Sequence, residues 1–191
     1  MSALFEELDY CPTPIGAVSL RRRRDLKLDV DVFEITLGDE SLMTSLFTAS
    51  EIALARLGLA ALDDPVAPDI VVGGLGLGYT AHAVLECAAG VSLIVVEALA
   101  PVIEWHETGL LPLGAALAKD PRCHVVQGDF FAKAASQEGF DPDAQGRLFD
   151  AILVDIDHSP DALLDDRNGS FYQLDGLRRL SRHLRPGGVF G

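Results

Sequence analysis

At 191 residues with 49% hydrophobic content, the chain is long enough for one main domain with a real core plus a small appendage, which excludes wholesale disorder. Lys and Arg number 15 against 29 Asp and Glu, a net charge of −14; this argues against nucleic-acid backbone binding and suits a cationic small substrate. Cys11, Cys87 and Cys123 are scattered and odd in number, making neither a disulfide framework nor a metal site and fitting a reduced cytoplasmic compartment. No apolar run approaches the ~20 residues of a membrane span, and the start, MSALFEELDYC, is acidic where a signal peptide would be basic.

Met1 to Pro14 has no clear period and reads as an ordered or frayed arm. From Ile15 to Leu37, residues Leu26, Leu28, Val30, Val32, Ile35 and Leu37 nearly alternate with charges, which predicts a small antiparallel hairpin sheet. The run Arg21 to Arg24 reads as a solvated hairpin end or a pairing surface for nearby acids. Gly38-Asp39-Glu40 is a turn, and Thr48-Ala-Ser-Glu51 matches a capping box ahead of a helix over about Ala49 to Ala61. Asp63 to Asp69, with two prolines, is the linker between a segment 1–62 and a second unit 69–191.

Ile70 to Val72 is a short buried parallel strand, followed by glycines at 73, 74, 76 and 78 and a helix from Tyr79 to Cys87. A strand turning through glycines into a helix is expected to bring bare backbone amides to one point, where a nucleotide or an amino-acid carboxylate can dock. Further strands are predicted at Val91 to Glu97, His124 to Val126 and Ala151 to Val154. The intervening helices are a short one from about Pro101 to Thr108 and a long one from about Ser170 to Leu184. Arg185-Pro-Gly-Gly188 stops that helix, and Val189-Phe190-Gly191 opens a fifth strand on which the sequence ends, so the last part of the sheet is expected to be missing. Alternating strands and helices define an α/β fold with a Rossmann-like parallel sheet covered on both faces.

Ligands in such sheets lie across the carboxyl ends of the strands, which here carry Gly74, Gly76 and Gly78, then Glu97, then Asp129, then Asp155 and Asp157. Glu97 lies about 20 residues past the glycines, the spacing of an acid that accepts from ribose hydroxyls. Asp129 in Gly-Asp-Phe-Phe is placed either to meet an adenine amine, with Phe130 beside it as a ring or core contact, or as an ordinary turn aspartate. Asp155 and Asp157 could face one cleft if the extended geometry persists, although Asp157 could equally cap a helix. His158, Trp105 and His106 read as loop, packing or surface residues, with no second ligand at metal spacing.

These stretches, in this order, resemble the class I S-adenosylmethionine-dependent transferases and, within them, the spermidine/spermine synthase (polyamine aminopropyltransferase) family. The likeness runs from about Gly16 to Gly188, through Gly38-Asp-Glu40, VVGGLGLG, VVEALAPVIEW, VVQGDFF, FDAILVDIDHSP and SFYQLDGLRRLSRHLRPGG. It implies S-adenosylmethionine or its decarboxylated form above Gly74, Gly76 and Gly78, with Glu97 and the adjoining Ala98 at the ribose, Asp129 and Phe130 near the adenine, and no metal. It also implies Asp155 and Asp157 as the catalytic acids, Asp155 assisting attack by an amine on the aminopropyl carbon beside the sulfonium. A polyamine acceptor and a homodimer through the N-terminal sheet follow from the same likeness. The sequence departs from the family pattern in four places. Its loop aspartate is Gly76, flanked by Leu75 and Leu77; its second acid after the ribose carboxylate is Leu99; its D-x-x-D is Asp155-Ile-Asp-His158; and the tyrosine after the Asp-Glu turn is Met43. Methyl transfer, non-catalytic nucleoside binding and, because Gly76 to Ala81 also fits G-x-G-x-x-A, a nicotinamide-dependent oxidoreductase are the alternatives.

Overall fold

The computed structural model describes residues 4–63, 66–156, 161 and 163–191. Strands β1 (Phe5–Thr13), β2 (Gly16–Asp25), β3 (Val30–Leu37) and β4 (Glu40–Thr44) form an antiparallel sheet in that order. The expected arm at the N-terminus is therefore the edge strand β1; a register shift between Glu7 and Asp9 and its half-wet faces hide the alternation that would have marked it. The basic run on β2 is a pairing surface: Arg22 meets Glu6 (2.6 Å), Arg23 meets Glu34 (2.8 Å), and Arg24 meets Asp29 and Asp31.

Helix α1 (Ala49–Ala60) leads to β5 (Asp69–Gly73), α2 (Tyr79–Cys87), β6 (Ser92–Glu97), α3 (Ala100–Glu107), α4 (Gly114–Lys119) and β7 (Cys123–Gln127). Then come α5 (Phe130–Ala135), β8 (Phe149–Val154), α6 (Leu174–Leu180) and β9 (Leu184–Phe190). The second sheet is parallel throughout, in the order β7-β6-β5-β8-β9. Alternate residues of β5 face opposite layers. Ile70 and Val72 join α1 to α4 and the N-terminal sheet residues Val18, Leu20 and Ile35 in one apolar cluster, while Val71 joins α5 and α6 in the other. Strand order reverses on either side of β5, so a crevice opens above its carboxyl end.

The segment expected as one long helix breaks into a 3₁₀ turn (Asp166–Ser170), α6 and a second 3₁₀ turn (Ser181–His183). At Gly176 a Cβ would sit 2.2 Å from the Phe171 carbonyl oxygen, so α6 packs directly on the preceding turn. Arg185-Pro-Gly-Gly188, expected as a breaker, lies within β9, which pairs with β8 on both sides of a register shift; a proline is tolerated at such an edge. Among the described residues no helix is long and apolar enough to cross a membrane.

Candidate functional site

The glycine turn is fixed by what crowds it. Gly74 has φ +92°, and a Cβ there would lie 2.2 Å from the Asp155 carbonyl oxygen, so only glycine lets the tips of β5 and β8 approach. Asp155 N–H donates to Gly73 O at 2.8 Å across the same gap. His106, expected to be a packing or surface residue, is buried on α3, and its Nε2–H donates to the Gly76 carbonyl at 2.8 Å. Among the described residues its Nδ1 is buried without a partner, and burial lowers its pKa, which favours the uncharged ring as a prop under the turn.

Glu97, at the tip of β6, is buried. Its Oε2 accepts from Leu75 N–H (2.9 Å) and its Oε1 from Leu99 N–H (2.8 Å). Burial pushes its pKa up, while the nearby amides of Leu99, Leu75, Gly76 and Ala98 pull the other way. Each oxygen retains a further lone pair for a hydroxyl donor. The turn is less bare than expected: Gly74 N–H donates to Val96 O (2.9 Å), Leu75 to Glu97, Leu77 to Met43 Sδ (2.9 Å) and Gly78 to Leu75 O (2.8 Å), so that four of the five amides from Gly74 to Gly78 are engaged within the chain. The short glycine turn folds onto its own neighbours because the acid and the thioether reach it first.

Asp129 caps α5, its Oδ1 accepting from Phe131 N–H (2.8 Å) and Ala132 N–H (3.1 Å). That is the ordinary turn role, with the carboxylate still on the cavity wall. Phe130 also borders the cavity but is buried, stacked on Phe140 with centroids 5.0 Å apart, and serves as a core contact. Asp155 accepts from Thr80 Oγ1 at 2.6 Å. Burial raises its pKa, the Thr80 hydroxyl opposes this, and the charge of Glu51 adds to the rise. Asp157 and His158 lie outside the described residues.

Sequence reasoning missed Glu51. Thr48 is the N-cap of α1 but makes no side-chain cap bond, so Glu51 is no capping-box partner; it is buried, accepts from Ser50 Oγ (2.7 Å) and borders the same cavity as Asp155. The only signal was an acid in the first turn of a helix that follows a β-hairpin, which is indistinguishable from a cap without the fold. The cavity, of about 790 Å³, runs from Met43, Ser50, Glu51 and Asp155 past Gly74, Gly76, Glu97 and Ala98 to Asp129 and Phe131. Its size is that of a site for a nucleoside-sized molecule. Among the described residues no group of three or more His, Cys, Asp or Glu could hold a metal ion.

A parallel sheet whose order reverses at β5, a glycine turn on that strand and an acid at the tip of the next make a Rossmann-like fold of the kind found in class I S-adenosylmethionine-dependent transferases. Solved structures with that fold are similar to this chain. A spermidine synthase in complex with the transition-state analogue AdoDATO gives a TM-score of 0.73 at 19% identity, covering 96% of this chain and 56% of that one. The spermidine synthase of Thermotoga maritima gives 0.70 at 17%, covering 96% and 54%. Human methyltransferase-like protein 13 in complex with SAH gives 0.54 at 21%, covering 73% and 62%. This chain thus spans little more than half the length of those two spermidine synthase chains. No protein-family model matches the sequence.

Proposed function

We propose that the cavity binds an adenosine-bearing sulfur compound and that the protein transfers an aminopropyl group from decarboxylated S-adenosylmethionine to an amine. The observation that carries this reading is the pairing of two carboxylates, Glu51 and Asp155, on one end of a cavity whose middle holds Glu97 beside the glycine turn. Their hydrogen-bond partners are hydroxyls, Ser50 and Thr80, rather than cations, which leaves their charge to meet a cationic amine. Glu97 fits the ribose because its spare lone pairs accept hydroxyl protons, and the Asp129 carboxylate on the far wall fits an adenine amine. Cavity size and the glycine cradle at Gly74 fit the donor equally.

A sulfonium donor, when bound, supplies an electrophilic carbon whose bond to sulfur breaks as the amine nitrogen attacks, the electron pair staying on sulfur. Asp155 holds the ammonium and takes the proton that nitrogen must lose, and its raised pKa brings it closer to a working base. Polyamines are charged at neutral pH, so acids at this end serve both binding and proton removal. A homodimer through the N-terminal sheet goes with the same reading, since Phe5, Tyr10, Leu26 and Leu28 are exposed there.

Methyl transfer from S-adenosylmethionine is the second reading, favoured by the fold likeness to the human methyltransferase-like protein. A dinucleotide is the weaker reading because four of the five amides from Gly74 to Gly78 are bonded within the chain. Calorimetric titration with decarboxylated S-adenosylmethionine, S-adenosylmethionine, methylthioadenosine and NAD, joined to mass-spectrometric detection of transfer onto diamines, separates these. Asp155→Asn should cut aminopropyl transfer by about 10²- to 10⁴-fold while nucleoside affinity is retained. Tight NAD binding with no response to the sulfur nucleosides would overturn the proposal.

A further inference from the structure

Within the glycine turn the amide partners are unequal. Gly74 and Gly78 give their N–H to backbone carbonyls, and Leu75 gives its to the Glu97 carboxylate. These three acceptors, on Val96, Leu75 and Glu97, belong to the parallel-sheet unit. Leu77 alone donates to a side chain from the other sheet, the thioether of Met43 on β4. A thioether is a weak acceptor. A carboxylate would replace it with a stronger, charge-assisted bond, provided it could reach the amide. The sulfur stands in the way: a Cβ on Gly76, whose φ is +47°, would lie 2.5 Å from Met43 Sδ, so the thioether lies directly against the turn and forms part of the cavity wall. The nearby charges of Glu51, Glu97 and Asp155 add repulsion against any anion.

We propose that Met43 selects the donor: its thioether caps the Leu77 amide, so that the cavity accepts sulfur nucleosides whose tail lacks a carboxylate in preference to those whose tail carries one. This rests on the nucleoside reading above and assigns the choice of tail to a residue outside the glycine turn. The same contact gives the N-terminal sheet a part in ligand choice, because β4 is held to β3 through the Ile35–Met43 pair.

The test is calorimetric titration of wild type, Met43→Ala and Met43→Leu against S-adenosylmethionine, its decarboxylated form and methylthioadenosine, the last having no amino-acid tail. Wild type should bind the decarboxylated form at least about tenfold more tightly than the carboxylated one, the scale of one charge-assisted hydrogen bond denied. Met43→Ala should narrow that ratio about tenfold, mainly by a gain for S-adenosylmethionine, because it uncovers the Leu77 amide. Met43→Leu, which keeps the cover without the sulfur, should hold the wild-type ratio. Methylthioadenosine binding with an unmoved ratio in Met43→Ala would overturn the inference while leaving the nucleoside reading intact. Loss of methylthioadenosine binding in Met43→Ala would make Met43 a general support and would also overturn it. A wild-type protein that binds none of the three would overturn both.

Discussion

At the scale of single residues, Glu97 does two jobs with one carboxylate. It braces the turn through Leu75 and the start of α3 through Leu99, and it faces the cavity with its remaining lone pairs. Removing it therefore costs more than a ligand contact. Glu97→Ala leaves the buried Leu75 amide without its acceptor and should weaken nucleoside binding by about 1.5 to 3 kcal/mol, with a parallel loss of stability of about 1 to 3 kcal/mol. Titration calorimetry and urea unfolding on the same variant read the two effects separately. Affinity unchanged in a folded Glu97→Ala protein would take this residue out of the site. A residue that binds ligand alone would show the first loss without the second.

At the scale of elements, the ends of the parallel strands opposite the cavity are tied by charge. Asp69 at the start of β5 accepts from Arg147 and from Arg185 of β9. Arg147 also reaches Asp141 (2.6 Å) and Ser92 Oγ of β6 (2.9 Å), and Asp69 N–H donates to Asp150 of β8 (2.8 Å). Burial works to raise the pKa of Asp69, but the two guanidiniums outweigh it, and Asp141 is likewise held low against burial by Arg147. Carboxylates with depressed folded values stabilise the protein above the ordinary value of 3.8 and lose that contribution as pH falls through the lower folded value. Arg147→Ala should cost about 1 to 3 kcal/mol at neutral pH, and the gap to wild type should shrink as pH drops below 3.8. Thermal melts across that range check this, and a gap that stays constant with pH would assign the loss to packing against Phe149 instead. The strands in this clamp were legible because Ile70 to Val72, Val91 to Glu97 and Ala151 to Val154 are apolar runs buried on both faces, a pattern that needs no partner to be recognised. The clamp itself was not legible, because Asp69, Arg147 and Arg185 are far apart in sequence and each looks like a linker or loop charge. The strand-tip acids Glu97 and Asp155 were legible from their place after those runs, whereas Glu51 and the reach of Met43 depend on how α1 and β4 fold over the cavity. Short α4 and α5 escaped notice because a helix of six residues carries too little period to read.

At the scale of the whole molecule, the antiparallel and parallel sheets share one apolar cluster, so the N-terminal sheet roofs the cavity instead of hanging beside it. A second polar contact, besides Leu77–Met43, fastens the two across that core: Trp105 Nε1–H on α3 donates to Asp9 Oδ2 on β1 at 2.6 Å, and Cys11 Sγ donates to the same oxygen at 3.2 Å. The Trp105 bond does most to hold the Asp9 pKa below its ordinary value. Trp105 is buried and is the only tryptophan in the sequence, so its emission reports on this joint. Asp9→Ala leaves a buried indole N–H without an acceptor and should destabilise the protein by about 1 to 3 kcal/mol. Because the core is continuous, fluorescence and far-ultraviolet circular dichroism should trace one coincident unfolding curve in wild type and one shifted curve in the variant. If the joint were decorative, Asp9→Ala would leave the midpoint in place. If the sheets were independent, the wild-type curves would already separate, and β4 would have no fixed place from which to present Met43 to the glycine turn.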